Sequence, residues 1–507
     1  MKRPLLVASL FIVLGAIAAF LPSEASARPA PRPSPSASPA PIPTPSPEPP
    51  SIAIPRLQSA LKANPNDRQA LAGLTMQYLQ IGRPDLSLPL SQKLLQLGEK
   101  NAEVYFYDGS AQAALGNIPA AISDFENASN LEPTNVGVLG ELTQLYLKTN
   151  RPTDAERIAN RSVTFNKTDP RSYVNLGLVY ATEKKFDDAR KQFETAYSLD
   201  NKDVTPLLQE AQTYQSQNAI PNALALVQRA LVADPRNVQA LVFKADLLAQ
   251  QHNAGLSASA FDDAVAAAPD DGTKVGILIQ KAAMYSAEKQ PAQAQAVFDA
   301  AVRDYPRVSG VHTAYGEYWI SVRQSAKAIA EFKAALQVNK DDAGALLDLG
   351  QIALATRKSS DAVGYLRHLT QVSPSAQSFA LLGQAYILTH NYTAAKDACR
   401  QSFVAQRTPD TLGCIAGSDF SLKNYSEAGK IFDVLDRSVK TYLDGNPQLL
   451  YMMGVTYTKT NQKAKAIGAY RRLLKDMRAG TKEYRQVQQA IAALGKPAPA
   501  VKKAKHT

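Results

Sequence analysis

A single pattern recurs every 34 residues from residue 56 to about 480, and it constrains the fold more than any other feature of the chain. Starts at 68, 102, 136, 170, 204 and 238 are separated by five unbroken intervals of 34, and further starts fall near 275, 309, 343, 376, 409 and 447. A fixed period of this length restricts the chain to a stack of one supersecondary unit, because each copy is too small to bury its own apolar face. The twentieth position is alanine in ten of the twelve units, with Ser87 and Ser257 in the other two. The eighth is glycine or alanine in ten, with Thr75 and Thr143 in the rest. The eleventh favours an aromatic (Tyr78, Tyr146, Tyr180, Tyr214, Tyr285, Trp319, Tyr386 and Tyr457), and the thirty-second is often proline (Pro133, Pro235, Pro269, Pro306 and Pro374).

These spacings are helical. Leu176, Gly177 and Tyr180 fall on one face of a first helix, and Ala189, Phe193 and Ala196 on one face of a second. Small residues at positions eight and twenty let the two axes approach, while the aromatic and the phenylalanine fill the space beside them. Thr182 to Lys185 supplies a short polar turn, and Asp234-Pro235-Arg236-Asn237 ends one hairpin and lets Pro235 begin the next helix. Abundant alanine and the lack of long β-branched runs exclude a sheet. The predicted fold is all-α, an α-solenoid of antiparallel helical hairpins. With 45% apolar and 20% charged residues the chain can fold, and a repeat array lets 507 residues do so without one ever-larger core.

On these residues the sequence resembles the tetratricopeptide repeats, which share the small residues at positions eight and twenty, the aromatic at eleven, the Phe or Tyr at twenty-four and the proline at thirty-two. The clearest unit reads Tyr173, Leu176-Gly177, Tyr180, Ala189, Phe193, Ala196, and the resemblance covers about four-fifths of the chain. It implies a right-handed superhelix whose inner groove, lined by the first helix of each hairpin, binds peptides or protein segments. Positions two, five, nine and twelve of the first helices would face that groove. Here they include Gln144, Leu178, Gln212, Gln215, Gln239, Asp246, Ser286, Glu317, Gln351, Gln384, Gln448, Tyr451 and Thr458. Such a lining is neutral, amide-rich and partly apolar. Glutamine can bond to an extended peptide backbone in either sense, and it is equally a good former of solvated helix surface. The Lys, Asn and Arg clamp by which some members hold an acidic chain terminus is missing, since the corresponding residues are Val174, Leu178, Leu208 and Gln212.

Several units are irregular. The first has Leu86-Ser87-Leu88-Pro89 where its second helix should begin, and Gly98 in place of the closing proline. Asp271-Gly272-Thr273 reads as an inserted turn that moves the register by three. The unit from 409 carries Asp419 at its eleventh position and a longer second helix, Ala428 to Leu443. Beyond 480, Tyr484, Val487, Ile491 and Leu494 form an apolar stripe, the expectation being a capping helix over 481–494 that closes the last face.

The two ends differ from the body. Lys2 and Arg3 precede an uncharged, mostly apolar run from Leu5 to Leu21, and Ala25-Ser26-Ala27 fits a cleavage site. The reading is a signal peptide (1–27) cleaved after Ala27, placing the chain in the periplasm or at the cell surface; the rival is an uncleaved membrane anchor. Residues 28–55 contain twelve prolines, which points to an extended spacer or to a leader remnant of no function. At the other end, residues 471–507 hold ten Lys or Arg against Asp476 and Glu483, so most of the net charge of +11 lies there. That end, finishing in a basic flexible tail (495–507), would attract anionic envelope polymer or lipid, or merely solubilise the chain. Nucleic acid is disfavoured because the tail has no interleaved aromatics.

Little in the sequence points to chemistry. Cys399 and Cys414 fall on neighbouring helices by the repeat frame, so they are either a disulfide, which export permits, or two buried thiols. His252, His312, His368, His390 and His506 lack metal-ligand spacing, and no phosphate loop, nucleophile elbow or dinucleotide fingerprint occurs. The acidic pairs Asp187-Asp188 and Asp262-Asp263 read as charges near helix starts. The chain is therefore expected to be a non-catalytic protein-interaction scaffold of the cell envelope, with no catalytic residue, metal or cofactor. The alternative is a structural accessory to polysaccharide or cell-wall assembly or export, retained by its basic end.

Overall fold

A computed structural model describes residues 48–495; the signal segment, residues 28–47 of the proline-rich stretch, and the tail 496–507 lie outside the described residues. Among those described there are 27 helices and no strand. The chain divides into two units at residues 247 and 248, inside the helix Val238–Gln250. The first unit begins with the helix Pro50–Ala63 and continues as hairpins such as Val136–Lys148 with Pro152–Phe165 and Pro170–Thr182 with Phe186–Leu199. The second contains, among others, Ser309–Ser321 with Ser325–Val338, Ala376–Leu388 with Tyr392–Ala405, and Pro447–Lys459 with Lys463–Asp476. In both, consecutive helices pack on one another, as Pro170–Thr182 does on Phe186–Leu199 and Ser309–Ser321 on Ser325–Val338, and first helices also pack together, as Val136–Lys148 does on Pro170–Thr182. This is an α-solenoid built of tandem hairpins.

Local chemistry sets the hairpin ends. Several first helices start at side-chain caps: Asp67, Asn101, Asn135 and Asp342 each accept a hydrogen bond from a backbone N–H of the first turn. Several second helices start with proline, which loses no hydrogen bond there. Between the two helices the fifteenth residue of every unit takes a positive φ. It is glycine at Gly82 and Gly116, but Asn150, Lys184, Asn218, His252, Lys289, Arg323, Arg357, His390, Lys423 and Asn461 elsewhere. In the unit from 170, Lys184 N–H donates to the Ala181 carbonyl at 3.0 Å and Lys185 N–H to the Tyr180 carbonyl at 2.8 Å, which satisfies the last carbonyls of the first helix. Asparagine tolerates this conformation and a cation complements the helix C-terminus, yet a Cβ there remains costly. Arg357→Gly is therefore expected to stabilise the second unit by about 0.5–1 kcal/mol in urea unfolding. An unchanged or lowered midpoint would count against that reading of the turn.

The core of each hairpin is a volume exchange between positions eight and twenty-four. A Cβ added to Gly177 would lie 2.6 Å from the Phe193 ring, one on Gly316 would lie 2.5 Å from the Phe332 ring, and one on Gly350 would lie 2.5 Å from Leu366. Where position eight is threonine the partner shrinks: Thr75 accompanies Ser91, and Thr143 accompanies Ala159. Ser91 turns its hydroxyl to the buried Asp108 at 2.5 Å, and Asp124 beside them has its carboxyl pushed up to about 7 by burial and by its hydrogen bond to Asp108. The eleventh-position tyrosines carry a polar tip to the core edge. Tyr146 donates to Glu126 at 2.5 Å and Tyr457 to Asp433 at 2.7 Å.

Five sequence expectations are corrected. Helix begins at Pro50, inside the segment read as an extended linker, because Pro50 sits at the first helical position and only Pro55 interrupts the ladder. Pro235 lies in the turn, and the next helix starts at Val238. Asp271-Gly272-Thr273 adds an N-terminal turn to the helix Asp271–Ala287, with Asp270 as its cap accepting from Thr273 N–H at 2.8 Å. The long second helix of the unit from 409 breaks at Val439 into Tyr425–Ser438 and the short Lys440–Asp444. Asp262 and Asp263 stand within the helix Ala254–Ala267 and not at its start; Asp262 pairs with Lys281 at 2.6 Å. At the C-terminal end Lys482–Gly495 packs on Lys463–Asp476, burying Val487 with Ala490, Ile491 and Leu494 around it.

Candidate functional site

The first-helix face carries the residues that the repeat frame singles out. In the first unit Gln144, Gln212, Gln239 and Asp246 are exposed, while Leu178 and Gln215 are half-buried. In the second, Ser286, Glu317, Gln351, Gln384, Gln448, Tyr451 and Thr458 are exposed. Ser286 and Thr458 turn their hydroxyls back to the carbonyls of Ala282 and Gly454 and so offer little to a ligand. The glutamines have no side-chain hydrogen bond to another described group. Leu208, one of the positions where a clamp residue would stand, is buried.

Electrostatically the face departs from the neutral lining expected. Asp246 reaches solvent but is crowded by protein, and this partial desolvation pushes its carboxyl up to about 6. Glu317 is raised by desolvation and by Asp342, and Asp348 is pushed up to about 6 by desolvation together with Glu317 and Asp342. Asp342 is itself committed to a cap, accepting from Ala345 N–H at 3.0 Å and from the Thr313 hydroxyl at 3.1 Å. Glu141 in the first unit is raised by desolvation. None of Glu141, Asp246, Glu317 and Asp348 pairs with a cation among the described residues. Sequence reasoning missed Glu141 and Asp348 because both stand at the sixth position of their units. A carboxylate at the same register in two first helices was the available signal.

One junction in the second unit is built differently. Cys399 occupies position twenty-four, where six other units place phenylalanine, and is joined to Cys414 on the next helix with the Cα atoms 6.2 Å apart. Gly383 faces the pair, its missing Cβ leaving room for Cys399 Sγ and lying 3.5 Å from Cys414 Sγ. On the helix that carries Cys414, Asp419 replaces the eleventh-position aromatic. It is 1% exposed and is held by Lys396 Nζ at 2.5 Å and Asn424 Nδ2 at 3.2 Å, while its Oδ2 has no partner.

Other titratable groups serve the fold. His252, His312 and His368 bond to Glu288, Glu331 and Asp341, and His390 to Tyr392; no cluster of three metal-ligating side chains occurs among the described residues, and His506 lies outside them. Arg472 is not part of a free basic patch: it is turned into Asp436 and into Asp444 at 2.6 Å, while Arg471, Lys475, Arg478 and Lys482 stay accessible. Glu210 is buried with its Oε2 unpartnered, and desolvation, aided by Glu194 and opposed by Arg190 and Arg229, pushes its carboxyl up to about 7. A folded-state value above the unfolded one means a stabilising contribution that is complete at low pH and lost as pH rises through about 7. Glu210→Gln should thus match the parent near pH 4 and unfold at higher temperature near pH 8. Parallel melting curves across that range would rule this out.

Tetratricopeptide-repeat models match residues 112–174, 170–203, 208–272, 320–376 and 448–476. The chain belongs to the tetratricopeptide-repeat family. The stretch of this tetratricopeptide-repeat protein from 377 to 447, which holds the disulfide, Asp419 and the extra short helix, lies outside those matches. Similar solved structures include a tetratricopeptide repeat protein from Parabacteroides merdae, 12% identical, covering 54% of this chain and 93% of its own, with a TM-score of 0.34. A thermophilic TPR protein of Thermus thermophilus is 21% identical over 36% of this chain and 98% of its own, with a TM-score of 0.32. YrrB, described as a TPR protein with an unusual peptide-binding site, is 21% identical over 36% of this chain and 95% of its own, with a TM-score of 0.29. No curated protein matches the chain.

Proposed function

We propose that this chain is a non-catalytic scaffold of the cell envelope that holds extended protein segments along its first-helix face. The observation that carries this reading is a run of exposed, unengaged glutamines, Gln351 and Gln384 among them, interspersed with carboxylates that have no cation of their own. Such a surface offers donors and acceptors to a peptide backbone and favours segments bearing Lys or Arg. The test is enrichment of partners from an envelope extract by the parent chain and by Glu317→Lys with Asp348→Lys. The parent should retain partners that the variant loses; identical enrichment sinks the groove assignment. Export rests on the leader alone, and the mass of the secreted chain tests it, the expected start being Arg28.

A second reading, retention on an anionic wall polymer through the basic end, is favoured by Arg471, Lys475, Arg478 and Lys482, which are accessible without carboxylate partners. Deleting residues 496–507 should then weaken sedimentation with purified wall material. Undiminished sedimentation excludes that role for the tail.

A further inference from the structure

The second unit contains an open depression of about 600 Å³ that belongs to neither the first-helix face nor the basic tail. Two helical stripes form its walls. Asp433, Asp436 and Arg437, with Lys440 one turn on, come from Tyr425–Ser438 and the short helix after it, and Lys465, Gly468, Ala469 and Arg472 come from Lys463–Asp476; Met453 closes the floor. Its acids are already engaged. Asp433 takes Lys465 Nζ at 2.8 and 3.0 Å and the Tyr457 hydroxyl at 2.7 Å, and Asp436 takes Arg472. Arg472 is also engaged at every nitrogen, since its Nε donates to Asp444 at 2.6 Å, its Nη1 to Asp436 and its Nη2 to the Lys440 carbonyl at 3.3 Å. Two cations make no salt bridge to a carboxylate among the described residues, although Arg437 still acts on Asp433 through space. Arg437 uses only Nε, on the Asp433 carbonyl at 3.0 Å, which leaves its terminal nitrogens undirected, and the Lys440 ammonium has no partner among the described residues.

The second observation is Gly468. It stands in the middle of a helix with an ordinary negative φ, and a Cβ there would meet nothing within 4 Å. Glycine weakens a helix interior, and no neighbour requires it at 468, as none does at Gly276 or Gly364; what distinguishes Gly468 is the depression on which it opens. Gly468 opens on the same depression as Arg437 and Lys440.

We propose that this depression is a binding site for a small, multiply charged oxyanion, held by the Arg437 guanidinium and the Lys440 ammonium against a floor kept low by Gly468. A guanidinium edge matches two oxygens of a phosphate or carboxylate, and an ammonium beside it adds a point charge. Lys465 offsets Asp433, and Arg472 is shared between Asp436 and Asp444, so Arg437 and Lys440 leave the cluster with an excess of positive charge. The site is independent of the peptide-holding face, so its failure would leave that reading untouched.

The test is calorimetric titration of the full chain with inorganic phosphate and, separately, with citrate at low salt. Saturable binding of at least one is expected, and which one binds tells phosphate from polycarboxylate. Arg437→Gln with Lys440→Gln should weaken it at least tenfold. Gly468→Ala should also weaken binding while raising the melting temperature, which separates a filled site from a damaged fold. Absence of saturable binding to the parent, or equal affinity in the parent and in both variants, overturns the proposal.

Discussion

Lys396→Met is expected to destabilise the second unit by about 3–5 kcal/mol, the usual cost of leaving a buried carboxylate without its counter-ion. Asp419 is 1% exposed, its Oδ2 already lacks a partner, and after the substitution only the Asn424 amide would answer the charge. Lys396→Met combined with Asp419→Leu removes both charges and should recover most of the loss, since a packed apolar pair often equals a buried ion pair. Urea unfolding of the two variants decides the point. If the single variant unfolds with the parent, the ion pair is not what holds this junction.

The second large effect lies in the eight-to-twenty-four exchange. Phe332→Ala should cost about 3–5 kcal/mol, because the ring is wholly buried and its removal leaves a cavity beneath Gly316. Gly316→Thr alone should also destabilise, by about 1–3 kcal/mol or more, since its Cβ would lie 2.5 Å from the ring. Together the two substitutions recreate the pairing that Thr143 and Ala159 already make elsewhere in the chain. The double variant is therefore expected to be more stable than the sum of the two losses predicts, by roughly 1 kcal/mol or more, the usual coupling between touching residues. Additive losses would show that position eight does not answer to position twenty-four.

Much of this architecture was legible because period and volume are written in side-chain size. The small residues at eight and twenty located both helices of every hairpin before any contact was known. What the sequence hid was local. Asp271-Gly272-Thr273 looked like a turn because Asp and Gly favour turns, but Asp270 caps the helix and absorbs the insertion as one more turn of it. Pro50 looked like a breaker because prolines crowd before it, yet a first-turn proline has no hydrogen bond to lose. On the first-helix face the glutamines were found by register, whereas Glu141 and Asp348 were passed over at a position one step away. The fates of Arg472 and Asp419 depended on partners 28 and 23 residues distant, which a 34-residue lattice does not name.

The bond between Cys399 and Cys414 also has a mechanical meaning. Hairpins that touch only near neighbours give way one after another when a chain is pulled from its ends, each releasing its residues as slack. At this junction the bond shunts the load past the loop it closes, a sequence separation of 15, withholding about 50 Å of contour at roughly 3.5 Å per residue. A reductant would return that length, so under tension the junction acts as a stop whose reach is set by the redox state around it.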